Sequence, residues 1–148
     1  AHMIAGGKTL DQYPIEKFWG RGVYVRVDGE FSLAAIQQAG IQEGDIVLFH
    51  TGMAAKYHSP DYFDAYPVMP EEVAKYLAEK KISVVGMDMC SPDKPPFAVH
   101  KILLGGDVLI VENLTNLEVL AGKTFTVHAF PIKLELDAAP VRVVADVK

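Results

Sequence analysis

The apolar positions of this chain fall into two rhythms. Residues 22–28 (GVYVRVD) alternate apolar and polar side chains, the two-residue period of a strand with one buried face. Residues 45–50 (DIVLFH), 82–87 (ISVVGM) and 108–111 (VLIV) are near-continuous apolar runs, as strands buried on both faces require. Helical spacing lies between them. Over 32–39, Ser32 supplies a cap, Leu33, Ile36 and Ala39 share a face, and Gly40 stops the helix. Pro70 opens a second helix, with Glu71 and Glu72 at the positive end of its dipole and Lys80 and Lys81 at the negative end. Residues 97–104 predict a third, short helix ended by Gly105 and Gly106. The stretches 1–14, 51–69 and 91–96 predict loops, 114–120 a turn or short helix, and 124–131 and 141–147 closing strands. Phe18 and Trp19, just ahead of the first strand, are expected in the core. Strands and helices alternate through the middle and strands dominate both ends. The pattern predicts one mixed α/β domain over residues 1–148.

Composition narrows the function classes. The chain has 148 residues, half of them hydrophobic (50%), enough for a sizeable core. Its formal net charge of -5, with both signs interspersed, lacks the basic excess of a nucleic-acid-binding surface. There is no Lys/Arg run for an anionic membrane and no apolar run of membrane-spanning length. The single cysteine, Cys90, excludes an intramolecular disulfide and a multi-cysteine metal site. Its neighbours Met89, Ser91 and Pro92 offer no base, so it reads as a packed free thiol. A reducing, cytoplasmic location is expected.

The chemistry must come from elsewhere. The histidines are His2, His50, His58, His100 and His128, and none forms an HxxxH or HExxH pair. No nucleophile elbow, phosphate-binding loop or dinucleotide fingerprint is present. The strongest constellation is SPDKPPFAVHKILLGGDVLIVENLTNL, residues 91–117. It places His100 on the short third helix and Glu112 directly after an apolar strand. Strand ends in α/β proteins commonly face the site. A carboxylate buried there is costly without a compensating cation. Imidazole plus carboxylate suits Zn²⁺, Mn²⁺ or Fe²⁺. The competing reading is a helix-surface histidine and a glutamate that caps the turn at Leu114. The residues alone leave both open.

At these positions the chain resembles the cyclase family of metal-dependent hydrolases, which includes bacterial kynurenine formamidase (arylformamidase). The resemblance runs through Asp93, His100, Leu103-Leu104, Val111-Glu112-Asn113-Leu114 and Asn116-Leu117. Upstream it takes in Gly44-Asp45-Ile46-Val47-Leu48 leading to Thr51-Gly52, then Tyr62-Phe63, Pro67, Val85-Gly86-Met87-Asp88 and Ser91. It closes on Arg142-Val143-Val144-Ala145 and so covers nearly the whole chain. The resemblance implies a swivelling β/β/α domain in three layers and makes His100 and Glu112 metal ligands.

The family's main metal motif, HxGTHxDxPxH, carries two more histidine ligands, an aspartate ligand and a final histidine that acts as acid/base. Residues 1–11 fit, in register, the phrase found after that motif, which makes His2 the final histidine. Ala1-His2-Met3 also matches a vector remnant, and the in-register fit favours the native reading. The chain is therefore expected to lack the N-terminal segment that carries the rest of the motif.

The resemblance further implies a divalent metal, Zn or Mn, as one or two ions. It implies a small-molecule substrate, attack of metal-activated water on an amide, formamide or cyclic amide, and assembly into a homodimer or homotetramer. Asp88 and Asp93 are candidates for orienting a ligand imidazole, with turn chemistry around Pro92 and Pro95 as the alternative. His50, at the end of a buried strand, is a weaker candidate for the substrate pocket. Tyr57, Tyr62 and Tyr66 are candidates for an aromatic pocket wall, and His128 for a structural role. Two other functions compete: a different ring-opening or ring-closing reaction of the same family, and a non-catalytic scaffold that keeps the fold.

Overall fold

A computed structural model describes residues 3–148. The two rhythms become one six-stranded sheet in the order β4-β3-β2-β1-β5-β6. Strands β1 (Trp19–Arg26), β2 (Ile46–His50), β3 (Val84–Met87) and β4 (Leu109–Val111) run parallel. Strands β5 (Phe125–His128) and β6 (Val144–Val147) extend the sheet antiparallel from β1. Each parallel step is made by one helix: α1 (Leu33–Gln38), α2 (Glu71–Glu79) and α3 (Ala98–Gly105).

The sheet grows stepwise from β1 to β4, so connections of one hand put every helix on one face. That face holds the larger core. Val47, Phe49, Val85 and Met87 meet Ile36, Val73, Leu77, Val99 and Leu103 there. Burying each such side chain contributes roughly 1.5–3 kcal/mol. The alternate strand residues Ile46, Leu48 and Val84 point the other way. They pack against Phe125, Val127 and the 3-10 turn Leu117–Leu120. The antiparallel ribbon thus covers the helix-free face. Gly22 permits this, because a Cβ there would stand 1.9 Å from the Phe125 ring.

Local rules set the boundaries. The Ser32 hydroxyl accepts the Ala35 N–H and starts α1. Pro70 precedes the first turn of α2, which carries Glu71 and Glu72. One expectation fails. Phe18 is buried, but Trp19 is exposed and lies flat on His128 across the β1–β5 pair. Its strand begins three residues earlier than the alternation shows, because those residues are held by backbone pairing to β5 rather than by burial. No helix among the described residues is long and apolar enough to cross a membrane.

Candidate metal centre

The four parallel strands end at one edge of the sheet, and the candidate residues gather along it. Asp93 lies in the loop after β3 and is buried. Its backbone carbonyl accepts two hydroxyls, Ser91 Oγ at 2.7 Å and Tyr66 at 2.9 Å. Its side chain then does two things. One carboxylate oxygen accepts the Val99 N–H at 2.7 Å and the His100 N–H at 3.4 Å. Helix α3 has no side-chain cap from Phe97, so Asp93 supplies the missing acceptors at its positive end. The other oxygen accepts the Nδ1–H of His100 at 2.6 Å.

That bond orients the imidazole. In the neutral imidazole this puts the proton on Nδ1 and the lone pair on Nε2, which stands 3.6 Å from Glu112 Oε1. Burial alone opposes an imidazolium at His100; the Glu112 and Asp93 carboxylates outweigh it and hold the group above its ordinary value. Glu112 comes directly after β4 and is half-buried.

The loop after Glu112 is clamped. Asn113 takes a left-handed backbone (φ 59) and its N–H reaches the Met89 carbonyl at 3.0 Å. The Leu114 N–H reaches the Met87 carbonyl at 2.9 Å. A Cβ on Gly86 would stand 2.8 Å from the Leu114 side chain and 2.6 Å from Leu48. Glycine at this strand position lets the loop lie on the sheet. The Tyr62 hydroxyl donates to the Asn113 side-chain oxygen at 2.7 Å. Burial pushes the Tyr62 phenol up to about 12, so it stays a donor throughout the neutral range. An apolar cavity of about 200 Å³ opens beside His100 and Glu112, walled by Leu104, Leu109, Val111, Pro131 and Val141.

The donor set fits a divalent cation. Two ligands bound at about 2.1 Å, at right or tetrahedral angles, stand about 3.0–3.4 Å apart, close to the separation seen here. A histidine whose other nitrogen is held by a carboxylate is the usual form of a metal-binding imidazole. Among the described residues, no group of three His, Cys, Asp or Glu side chains is placed to hold a metal ion by itself. His100 and Glu112 offer two donors, 3.6 Å apart. His2 lies outside the described residues.

The remaining candidates gather elsewhere on the edge. Asp88 is buried and accepts the Thr51 N–H, the Thr51 hydroxyl and the Gly52 N–H, each at 2.7–2.8 Å. It thereby holds the turn after β2, where Gly52 is left-handed (φ 87). His50 Nδ1 is 2.7 Å from the Tyr24 hydroxyl, and its Nε2 is 4.0 Å from Asp88. Both line a second cavity of about 320 Å³ with Thr115 and Asn116, distinct from the one beside His100. Tyr57 packs edge-on to Tyr62, and Tyr66 donates its hydroxyl to Asp93. Sequence reasoning offered these tyrosines as an aromatic pocket wall; the hydroxyls of Tyr62 and Tyr66 reach Asn113 and Asp93. An Asn directly after a strand-end Glu, a residue type that tolerates left-handed backbone, was the one available signal for the clamp.

An α/β sheet with an imidazole–carboxylate pair at the carboxyl ends of its strands defines a site-bearing member of a known class. The chain belongs to the Cyclase family, whose model matches residues 1–94. It is 36% identical over 103 residues to an uncharacterized protein of Methanocaldococcus jannaschii, covering 68% of this chain and 53% of that one. The chain thus spans about half the length of the curated relative it matches. Among solved structures it is similar to a protein described as a potential metal-dependent hydrolase with cyclase activity. The TM-score is 0.81 at 31% identity, covering 96% of this chain and 72% of the other. It is also similar to isatin hydrolase A from Labrenzia aggregata, with a TM-score of 0.82 at 25% identity, covering 93% and 64%. The fold is therefore the mixed α/β fold of cyclase-family structures.

Proposed function

We propose that the protein is a metal-dependent hydrolase of C–N bonds in amides, formamides or cyclic amides. The observation that carries this reading is the directed His100. A buried carboxylate takes its Nδ1–H and turns its Nε2 toward Glu112. Two structural relatives support it by name, one as a potential metal-dependent hydrolase and one as a hydrolase of isatin, a cyclic amide.

His100 Nε2 and the Glu112 carboxylate would hold the cation, Zn or Mn, as one or two ions with donors from elsewhere in the protein. When bound, such a cation supplies Lewis acidity and a water of lowered pKa. Asp93 keeps the imidazole in the ligating tautomer. The apolar walls beside the pair take the apolar body of a small substrate and exclude bulk water from the reacting bond. His2, as the resemblance assigns it, would exchange the proton with the leaving nitrogen. Assembly into a homodimer or homotetramer is supported by the extended segment 130–136, which leaves Phe130, Ile132, Leu134 and Leu136 exposed.

The test is metal analysis of the full-length protein, then assay on N-formylkynurenine and isatin. Bound Zn or Mn with hydrolysis of either supports the reading. A fully metallated protein inert to both overturns the C–N specificity, and a protein that takes up no divalent metal overturns the hydrolase.

A further inference from the structure

We infer that Tyr62 is a positioning residue for Glu112, acting through Asn113; this rests on the reading of Glu112 as a ligand. Glu112 is the half-exposed member of the pair, the first residue past the end of a three-residue strand. Its carboxylate faces His100 from the first position beyond the sheet's ladder. The turn beyond it is tightly constrained. Asn113 takes the left-handed conformation, which reverses the chain just after the carboxylate.

A left-handed residue persists where its surroundings over-determine it. Backbone bonds to Met87 and Met89 hold one side of the turn, and the Tyr62 hydroxyl holds the Asn113 side chain on the other. Tyr62 is itself fully packed. It is 1% exposed and packs edge-on against Tyr57 and Phe63 in the loop between β2 and α2. The bond therefore fastens a loop from another crossover to the turn that aims Glu112. The Tyr62 hydroxyl ends on the Asn113 amide, one residue beyond Glu112. A merely structural reading also exists, in which the phenol finds Asn113 only to satisfy its own buried hydroxyl.

The two readings separate in the full-length protein. Tyr62→Phe keeps the ring and its packing and removes one oxygen. Positioning predicts a rise of about tenfold or more in the Zn²⁺ or Mn²⁺ dissociation constant, the size seen when outer-shell partners of metal sites are lost. It also predicts faster amide exchange at Asn113 and Leu114 with and without metal. Asn113→Gly, which keeps the backbone conformation, should weaken metal binding equally. Adding Tyr62→Phe to it should weaken binding no further. Asn113→Asp, which restores an acceptor for the phenol, should recover most of the affinity. Unchanged affinity in Tyr62→Phe, or additive losses in the double variant, would overturn the inference. A wild-type protein that binds no metal overturns the hydrolase reading instead; the exchange rates at 113–114 then decide the Tyr62–Asn113 clamp alone, and unchanged rates sink it.

Discussion

Asp93 accepts the Nδ1–H of His100 at 2.6 Å, and its second oxygen accepts the N–H groups that open the helix carrying His100. One buried carboxylate thus fixes both the start of α3 and the direction of its imidazole. Asp93→Ala should leave two helix N–H groups and the imidazole without their acceptor. The expected loss is about 2–4 kcal/mol of stability in a denaturant melt. Metal affinity should fall about 10- to 100-fold. Asp93→Asn, which can still cap the helix, should recover much of the stability and little of the affinity.

His100→Ala and Glu112→Ala should each abolish stoichiometric metal and hydrolysis together. The check is elemental analysis of purified variants alongside turnover. Retention of activity in both variants would remove the pair from the mechanism. Glu112→Gln is the milder control: its amide oxygen is a poorer ligand, so affinity should drop while the melting midpoint stays near the parent value.

Gly86→Ala tests the floor of the site. Its new methyl would stand 2.6 Å from Leu48 and 2.8 Å from Leu114, so both side chains must shift. Overpacking of this kind costs about 1–3 kcal/mol. Because Leu114 is two residues from Glu112, metal affinity should weaken with it. A substitution at Gly105, where a new Cβ meets nothing within 4 Å, should weaken neither the metal site nor, by more than about 1 kcal/mol, the fold.

Charge placed on the exposed stripe tests assembly. Ile132→Lys with Leu136→Lys should shift the protein to a smaller species by sedimentation while the secondary structure is kept, because both side chains are exposed in the single chain. An unchanged sedimentation coefficient would take the stripe out of the interface.

Much of this was legible because the informative residues obey one local rule each. β2 and β3 read as buried runs because both of their faces are covered, by α1–α3 on one side and the β5–β6 ribbon on the other. Glu112 stood out as a charge directly after such a run. Asp93 was a candidate for orienting a ligand imidazole, beside Asp88 and against turn chemistry, but no spacing rule paired it with His100. The two are seven residues apart but in different elements, and a loop path rather than a helical period brings them together. Trp19 misled for the complementary reason, since an indole suggests burial while this one is exposed at the end of β1 that pairs with β5. The rule that sites lie at strand ends pointed to His50 as well as Glu112. It names an edge, and this edge holds two cavities. Tyr62 was visible only as an aromatic residue. That its oxygen reaches Asn113, 51 positions along the chain, is a product of tertiary packing.

Asp93, His100, Glu112 and Asn113 all belong to the stretch of chain that leaves β3 and turns past β4. Proteins open in cooperative local units of about this size. Opening this one would withdraw the imidazole and the carboxylate in the same event, so the cation could not be shed one ligand at a time from this side. Conversely, a bound cation acts as a staple on the stretch: at a hundredfold excess over its dissociation constant it would deepen the closed state by about 2.7 kcal/mol. These residues would then be among the last of the loaded protein to exchange their amides and among the earlier ones once a chelator is added.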